Sequence, residues 1–273
     1  MTVLLVGIGA DTTNCSPTPP VFVDGRFEYV PIPESCGPDG TTEHRTYGNT
    51  GLRHTDGPLS RLVNTVFPNG RAGPRITGSD LATWPLHFDP NLDALTYGET
   101  ASRPAYVHRL RTLKPGDVVA FYTGLQRSEH APRHRYLIGA FTVRSILDCQ
   151  AVSHKQDTVS FQELPRERQT ALMDDHHANA HAKRFVANGQ IVAADDGLII
   201  VDGTEPGGLF SKALRISADP SGPHHYLRPD LHTRWSPEPG GNPATTAYLG
   251  GVKPAHLLNV DPGTFWSDVS AYR

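Results

Sequence analysis

The sequence predicts an α+β protein built on a mixed sheet or a small β-barrel core, with a few helices and long loops. Three observations favour this class. Apolar runs of strand length recur along the 273 residues, one segment has a clear helical pattern, and 26 Gly and 24 Pro interrupt the periodicity elsewhere. No linker, repeat or low-complexity tract divides the chain, so we expect one domain over residues 1–273.

The composition narrows the class of protein. Apolar residues make up 37% of the chain and charged residues 19%, and the formal net charge is −3. This charge argues against nucleic-acid binding through bulk electrostatics alone but permits a local basic groove. Three widely spaced cysteines with no CxxC pair predict free thiols in a reducing compartment. The start lacks a basic leader and no apolar run reaches membrane-spanning length, so we expect a cytoplasmic protein without membrane association.

The N-terminal segment is predicted to be a buried strand, VLLVGI at residues 3–8, that runs into the polar loop GADTTNCSPTPP. A dinucleotide-binding fingerprint would need a third glycine and a following helix, and the prolines forbid that helix. The loop can offer Asp11 and Asn14 to a ligand. Alternatively, these side chains shape the loop by bonding to its backbone.

The next segment, PPVFVDGRFEYVPIPE, is typical of a tight hairpin. Asp24-Gly25 between two apolar stretches predicts a two-residue primed turn. With that turn, Arg26 and Glu28 would lie on one face of the hairpin. They can form an exposed ion pair worth under about 1 kcal/mol, or they can line a site in which Arg26 binds a polar ligand through its forked guanidinium.

The middle of the chain is predicted to alternate long loops with strands. Residues 35–58 and 68–105 lack periodicity, and a short helix is expected between them near 59–66. Beyond residue 105, LKPGD predicts a turn before the strand VVAFYTGL. RYLIGAFTVRSIL predicts a second strand, in which Gly139 indicates a bulge or the close approach of another backbone.

One helix is predicted over residues 164–185, LPRERQTALMDDHHANAHAKRF, with Asn188-Gly189 just past its end. On that helix Asp174, His177 and His181 would share a face, which is metal-ligand spacing, although a zincin would have Glu where Ala178 stands.

Three interpretations of this helix stay open. Its basic end can be stabilised by the helix dipole alone. His181, Lys183 and Arg184 can bind a phosphate or another polar ligand. Asp174, His177 and His181 can hold a metal ion.

Two of the strand motifs resemble those of a known superfamily. LKPGDVVAFYTGL and YLIGAFTV resemble the paired strands of the PUA-like superfamily, which includes EVE and ASCH domains. The resemblance implies a small β-barrel over about residues 105–202 that holds RNA or a modified DNA base. The other interpretation is an ordinary pair of core strands.

A longer part of the chain is similar to the third type of nucleotide-modification-associated domain. The similar segments are VGIGADTTNCSPTPPVFVDGRFEYVPIPE, HFDPNLDALTYGE, LKPGDVVAFYTGL and NAHAKRF, with a continuation at GGLFSKALRIS. The resemblance implies a role in DNA base or nucleotide modification, with a nucleotide or nucleic acid as partner and possible partner enzymes; the cofactor is unknown. It assigns the polar motif positions to Asp11, Asn14, Asp24, Arg26, Glu28, Glu34, Asp89, Thr96, Tyr97, His181 and Lys183.

Two tyrosines are the best candidates for stacking on a base. Tyr97 and Tyr122 each adjoin glycine and polar residues, and stacking is worth roughly 1–3 kcal/mol per base. Aromatic side chains are nevertheless more often buried in the core. The complete predicted ligand-binding set is Asn14, Thr96, Tyr97, Tyr122, Lys183 and Arg184.

These residues lead to three hypotheses about function. The first is an enzyme that modifies a nucleotide or base, with Asp11, Arg26, Glu28 and His181 converging in one cleft. Glu28 or Asp11 would be the general base, and Arg26 would stabilise developing negative charge. The second is a non-catalytic, PUA-like reader of modified nucleic acid. The third is a metal-dependent hydrolase that uses Asp174, His177 and His181.

Overall fold

The computed structural model describes residues 1–8, 14–150, 152–154, 157–219, 224–235, 247–249 and 255–273. It is an α+β structure with 26% helix and 32% strand, in which a mixed sheet curls into a half-barrel. The predicted fold class is therefore confirmed. Among the described residues, no helix is long and apolar enough to cross a membrane.

The main sheet has six strands in the order β13-β1-β8-β9-β12-β7. Strands β1 and β8 are parallel, and the other neighbouring pairs are antiparallel. The apolar run at the N-terminus becomes β1 because its residues are buried on both faces of the sheet, between two core clusters. The strands of this sheet are β1 (Val3–Gly7), β7 (Thr96–Glu99), β8 (Val118–Leu125), β9 (His134–Asp148), β12 (Ile199–Arg215) and β13 (His256–Leu258).

The curl of the sheet comes from its two longest strands. Strands β9 and β12 pair along most of their length with three register shifts, and β8 and β9 have another beside Gly139. A Cβ at Gly139 would lie 2.8 Å from the carbonyl oxygen of Gly208 on β12. The predicted close approach of another backbone at Gly139 is therefore confirmed, and the bulges bend the sheet there.

Short strands between β1 and β7 build a separate layer around their own apolar cluster. Two small sheets, β2-β4-β5 and β3-β6, hold this region together. The predicted helix near 59–66 is a 3-10 turn, Leu59–Arg61, followed by a strand. The strands are β2 (Cys15–Ser16), β3 (Ile32–Pro33), β4 (Thr65–Val66), β5 (Ile76–Thr77) and β6 (Leu86–His87).

The hairpin at residues 21–27 has a longer turn than the sequence predicts. Val21 pairs with Phe27, Phe22 donates its amide to the Arg26 carbonyl oxygen (2.7 Å), and Gly25 has a φ of 88°. The loop therefore has three residues and ends in a left-handed glycine, so the predicted two-residue primed turn is wrong.

The predicted helix over 164–185 is two helices. The first, α3, ends at Asp175, and the second, α4, begins at Ala180. The Asn179 side chain accepts a hydrogen bond from the His181 amide (2.9 Å) and caps α4. Gly189 ends α4 in the left-handed conformation (φ 68°), which confirms the predicted stop.

The described residues contain six α-helices and one further pair of antiparallel strands. These strands are β10 (Val152–His154) and β11 (Asp157–Val159). The helices are α1 (Gly78–Thr83), α2 (Pro104–Arg111), α3 (Arg166–Asp175), α4 (Ala180–Asn188), α5 (Pro229–Trp235) and α6 (Pro262–Val269).

Candidate functional site

A polar cavity of about 330 Å³ lies where β6, β7 and α4 meet, beside the start of α2. Its wall combines buried ionisable side chains with a few apolar ones, which is the usual character of a ligand site. The lining residues are Ile8, Ile32, Pro33, Ser35, Pro68, His87, Asp89, Tyr97, Glu99, Thr100, Ser102, Arg103, His181, Arg184 and Ala194.

His181 lies between two carboxylates at the first turn of α4. Its Nδ1 is 2.6 Å from Oδ1 of Asp195, and its Nε2 is 3.3 Å from Oδ2 of Asp89. Burial alone would lower the pKa of His181, but the hydrogen bonds to Asp195 and Asp89 raise it to about 10. Without another ligand, the ring is therefore a buried cation that donates from both nitrogens.

Arg184, one turn later on α4, joins two of the buried carboxylates. Its Nε donates to Glu34 (2.8 Å), its NH1 donates to Asp195 (2.7 Å), and its NH2 donates to the Ser35 hydroxyl (2.9 Å). Although burial opposes the charged forms, His87 and Arg184 lower the pKa of Glu34, and His181 and Arg184 lower that of Asp195. Both carboxylates are therefore ionised and paired in the folded chain.

His87 enters the cavity because β3 and β6 pair. The bridge between Ile32 and His87 brings the end of β3 beside the ring, and Oε2 of Glu34 lies 3.0 Å from its Nδ1. Burial and the nearby Arg184 guanidinium lower the pKa of His87. The same Nδ1 also lies 3.2 Å from NH2 of Arg184, which can only donate, so its two neighbours favour opposite tautomers of the neutral ring.

A backbone amide of β7 holds the Asp89 carboxylate in place. The Gly98 amide donates to its Oδ1 (2.7 Å). A Cβ at Gly98 would collide with the His181 ring and lie 3.3 Å from the Asn179 side chain. Glycine at this position therefore lets α4 approach β7 closely enough for His181 to reach Asp89.

The other end of the cavity is built around Glu99. Its carboxylate accepts a hydrogen bond from the Tyr97 hydroxyl (2.8 Å) and another from Arg103 (2.8 Å). Burial raises the pKa of Glu99 more than Arg103 lowers it. The hydroxyls of Thr100 and Ser102 lie 2.7 Å apart on the same wall. This end offers both donors and acceptors to a polar ligand.

Comparison with known proteins assigns the chain to a family. The sequence profile of nucleotide modification associated domain 3 matches residues 2–240. The chain belongs to that family. No curated protein and no solved structure matches the chain, so its likeness to PUA-like domains stays a prediction. The family description connects the protein with nucleotide modification and leaves binding, catalysis and recognition open.

Several residues that the family resemblance assigns meet at this cavity. His181, Tyr97 and Asp89 line it, and so does Arg184, which the helix pattern predicts as a ligand-binding residue. Tyr97 does not present a free face for stacking, because its ring is packed in the core cluster of the main sheet. Glu34 lies immediately behind the wall, and its carboxylate orients two lining residues.

Other predicted ligand residues have structural partners. Thr96 accepts a hydrogen bond from the Asn179 side chain (3.1 Å) and supports the start of α4. Lys183 forms an ion pair with Glu43 (2.6 Å) outside the cavity wall. Tyr122 is packed in the second core cluster of the main sheet. Asn14 accepts a hydrogen bond from the Phe67 amide through its backbone (2.9 Å).

The predicted Arg26 and Glu28 face does not form. Arg26 is exposed and pairs with Asp24 (2.6 Å) on the hairpin turn. Glu28 is 1% exposed, and its carboxylate accepts hydrogen bonds from the backbone amides of Arg53 (2.6 Å) and His54 (2.8 Å). Neither residue lines the cavity that His181 lines. The fourth predicted catalytic residue, Asp11, lies outside the described residues.

The metal site predicted from helical spacing is wrong in its geometry. Asp174 and His177 are exposed at and after the end of α3, whereas His181 is buried in the next helix. The break at 176–179 removes the single face that the spacing requires. His181 instead faces His87 and Asp89, which come from β6 and the residues that follow it.

Sequence reasoning missed His87, Glu99, Arg103 and Asp195. The first two lie in HFDPNLDALTYGE, the segment that carries the family resemblance. In this segment the spacing His87-x-Asp89 places two potential metal ligands on one side of an extended chain. This pattern could have predicted His87 as a site residue. Asp195 carries no local signal, because only the tertiary fold brings it to His181.

Proposed function

We propose that this protein binds a nucleotide, free or within nucleic acid, with its base in the polar cavity, and that it chemically modifies the base there. The family connects the chain with nucleotide modification. A cavity of about 330 Å³ is at the lower end of the range of ~300–1,000 Å³ for small-molecule sites, which suits a nucleobase with part of its sugar.

The observation that carries the proposal is the concentration of buried and partly buried ionisable groups around one cavity. Carboxylates and cations with shifted pKa values cluster at catalytic sites, because chemistry near neutral pH requires such shifts. The cavity and the residues directly behind it bring together Glu34, His87, Asp89, Glu99, Arg103, His181, Arg184 and Asp195.

The two ends of the cavity suggest different roles. Glu99, whose pKa burial raises, can hold a proton and act as a general acid or as a donor to an exocyclic oxygen. Arg103 pairs with Glu99, and its Cζ lies 3.6 Å from the centroid of the Tyr106 ring. Its guanidinium can stabilise negative charge on a phosphate or a reacting base. His181 and Asp89 supply the polar side chains at the other end of the cavity.

A non-catalytic reader of modified bases is the second candidate. Ile8, Ile32, Pro33 and Pro68 supply an apolar part of the cavity wall, which can contact the face of a base without any chemistry. A base extruded into such a pocket is read by hydrogen bonds to its edge.

One experiment separates the two candidates. The full chain is incubated with free nucleotides and with single- and double-stranded DNA carrying plain or modified bases, and the recovered nucleosides are analysed by mass spectrometry. Binding is measured in parallel by calorimetry at low salt. New nucleosides support the enzyme, binding without conversion supports the reader, and absence of both at every substrate refutes the proposal.

A matched pair of variants connects any activity to the cavity. Glu99→Gln should lower turnover by about 100-fold or more if Glu99 is a general acid. Glu167→Gln, at an exposed position on α3, should leave turnover unchanged. Cys15, Cys36 and Cys149, all among the described residues, form no disulfide, which fits the cytoplasmic location that we propose, because thiols stay reduced in that compartment.

A further inference from the structure

Three potential metal ligands converge at the α4 end of the cavity. His87, Asp89 and His181 each offer one ligand atom, and these atoms lie within 4.8 Å of one another. Two imidazole nitrogens and one carboxylate oxygen are a ligand set that first-row divalent ions bind, with the remaining coordination positions open.

Both imidazoles are oriented for binding by carboxylates behind them. Nδ1 of His181 contacts Asp195 (2.6 Å), and Nδ1 of His87 contacts Glu34 (3.0 Å). Nε2 of His181 then lies 3.3 Å from Oδ2 of Asp89, and the ring of His87 contributes its ligand atom to the same group. Metal-binding histidines almost always have such a carboxylate or carbonyl partner on the other ring nitrogen.

The third ligand is fixed by the backbone. Oδ1 of Asp89 accepts the Gly98 amide (2.7 Å), while Oδ2 lies 3.3 Å from Nε2 of His181. A bound ion would replace the proton between these two atoms. The two histidine rings are nearly perpendicular, with centroids 5.0 Å apart, so their lone pairs can converge from different directions.

The combined charge of the three ligands and the ionised side chains directly behind them also suits a divalent cation. Glu34, Asp89 and Asp195 contribute three negative charges, and Arg184 contributes one positive charge. The protonated ring of His181 brings the balance to one negative charge. A divalent ion that displaced this proton would replace one positive charge by two and so neutralise these side chains, and burial favours balanced charge.

We propose that His87, Asp89 and His181 bind one first-row divalent transition-metal ion whose open coordination positions face the cavity. Asp195 and Glu34 are positioning residues that hold the two histidines. Metal binding itself does not require the proposed function, whereas a role of the ion toward a nucleotide rests on it.

The test uses the untagged full chain, stripped with a chelator and titrated with Zn²⁺ by calorimetry and with Co²⁺ by absorbance. We expect one ion per chain and an absorbance spectrum typical of Co²⁺ bound by nitrogen and oxygen ligands. Asp89→Asn, which keeps an acceptor for Gly98, should weaken binding by more than about 100-fold, and Asp195→Asn should weaken it by about 10–100-fold. His108→Ala, at an exposed position on α2, is the matched control.

Circular dichroism of each variant establishes that it is folded before titration. Absence of saturable binding in the native chain overturns the proposal, and so does equal affinity in the native chain and a folded Asp89→Asn variant. Either result would make the cluster a metal-free hydrogen-bond network.

A second measurement keeps this proposal separate from the proposed function. Nucleotide and DNA binding are measured with the stripped and the Zn²⁺-loaded chain. Stoichiometric metal binding without any nucleotide or DNA binding would refute the proposed function and leave the metal site standing. Nucleotide binding to a chain that takes up no metal ion would refute the metal site and leave the proposed nucleotide binding standing.

Discussion

The imidazole of His181 contacts Asp195 through one ring nitrogen and Asp89 through the other, at 2.6 and 3.3 Å. These partners are 14 and 92 residues away in the chain. The ring therefore joins α4 to the strand layer and to the 3-10 turn at Ala193–Asp195. Because the first contact is buried and the second is partly buried, a small displacement of α4 would disturb the hydrogen bonds on both sides of the ring.

Replacement of Gly98 by alanine tests this close approach. The new Cβ would collide with the His181 ring and lie 3.0 Å from its Nε2, so we expect the ring to move away from Asp89. Overpacking of this kind destabilises a protein by roughly 1–3 kcal/mol. Chemical unfolding and metal titration of Gly98→Ala should show both a loss of stability and a loss of metal affinity.

Gly51→Ala is the control for this substitution, because a Cβ at Gly51 would meet nothing within 4 Å. It should retain native stability and affinity. If Gly98→Ala behaved in the same way, His181 would have room to move and the geometry described for the cluster would not be required.

Replacement of Arg184 by lysine tests the forked contact between Glu34 and Asp195. Lysine keeps the charge but cannot donate in two directions from a fixed plane. Loss of one charged hydrogen bond in this buried cluster should lower the free energy of unfolding by roughly 1.5–3 kcal/mol. Arg168→Lys, at an exposed position on α3, should change it by less than about 0.5 kcal/mol. Equal stability of the two variants in urea would show that the fork is dispensable.

The sheet could be predicted from the sequence because its signals are local. The run VLLVGI and the strands around Tyr122 and Gly139 have the length and the apolar content of buried strands, and all three form the main sheet. The predicted helix over 164–185 was wrong at one place. Asn179 is a good N-cap residue, and its capping of α4 divides the helical pattern in two.

The site could be predicted only in part, because its contacts are not local. Arg184 and Glu34 are 150 residues apart, and no periodicity reports that they meet. His181 and Arg184 were found because polar residues on a short helical segment stand out. Glu28 was misjudged because a charged residue in a hairpin is usually exposed, whereas here the loop at Arg53 and His54 closes over it.

Glu28 provides a test that separates a structural role from a catalytic one. Its carboxylate accepts two backbone amides and the Thr55 hydroxyl (3.2 Å), so Glu28→Gln should lower the free energy of unfolding by roughly 1.5–3 kcal/mol. The folded variant should still bind ligands in the cavity. Glu129→Gln, at an exposed position, is the control. Native stability combined with lost base modification would instead support Glu28 as the general base.

The ion pair between Glu43 and Lys183 should make stability depend on pH. Burial alone would raise the pKa of Glu43, but hydrogen bonds from Arg45 and Lys183 lower it to about 2 from its ordinary value of 4.5. A lowered pKa stabilises the folded state above the unfolded pKa, and this contribution is lost as the pH falls from 4.5 toward 2.

Glu43→Gln should therefore be less stable than the native chain at pH 7, by roughly 1–2 kcal/mol after allowance for solvent screening. The difference should shrink as the pH is lowered below about 4.5, because the native carboxylate then becomes protonated and loses its advantage. Urea unfolding at several pH values measures this difference, with Glu167→Gln as the control at an exposed site. A difference that stayed constant down to pH values near the pKa of Glu43 would show that its charge does not anchor α4 to the loop that carries Glu43.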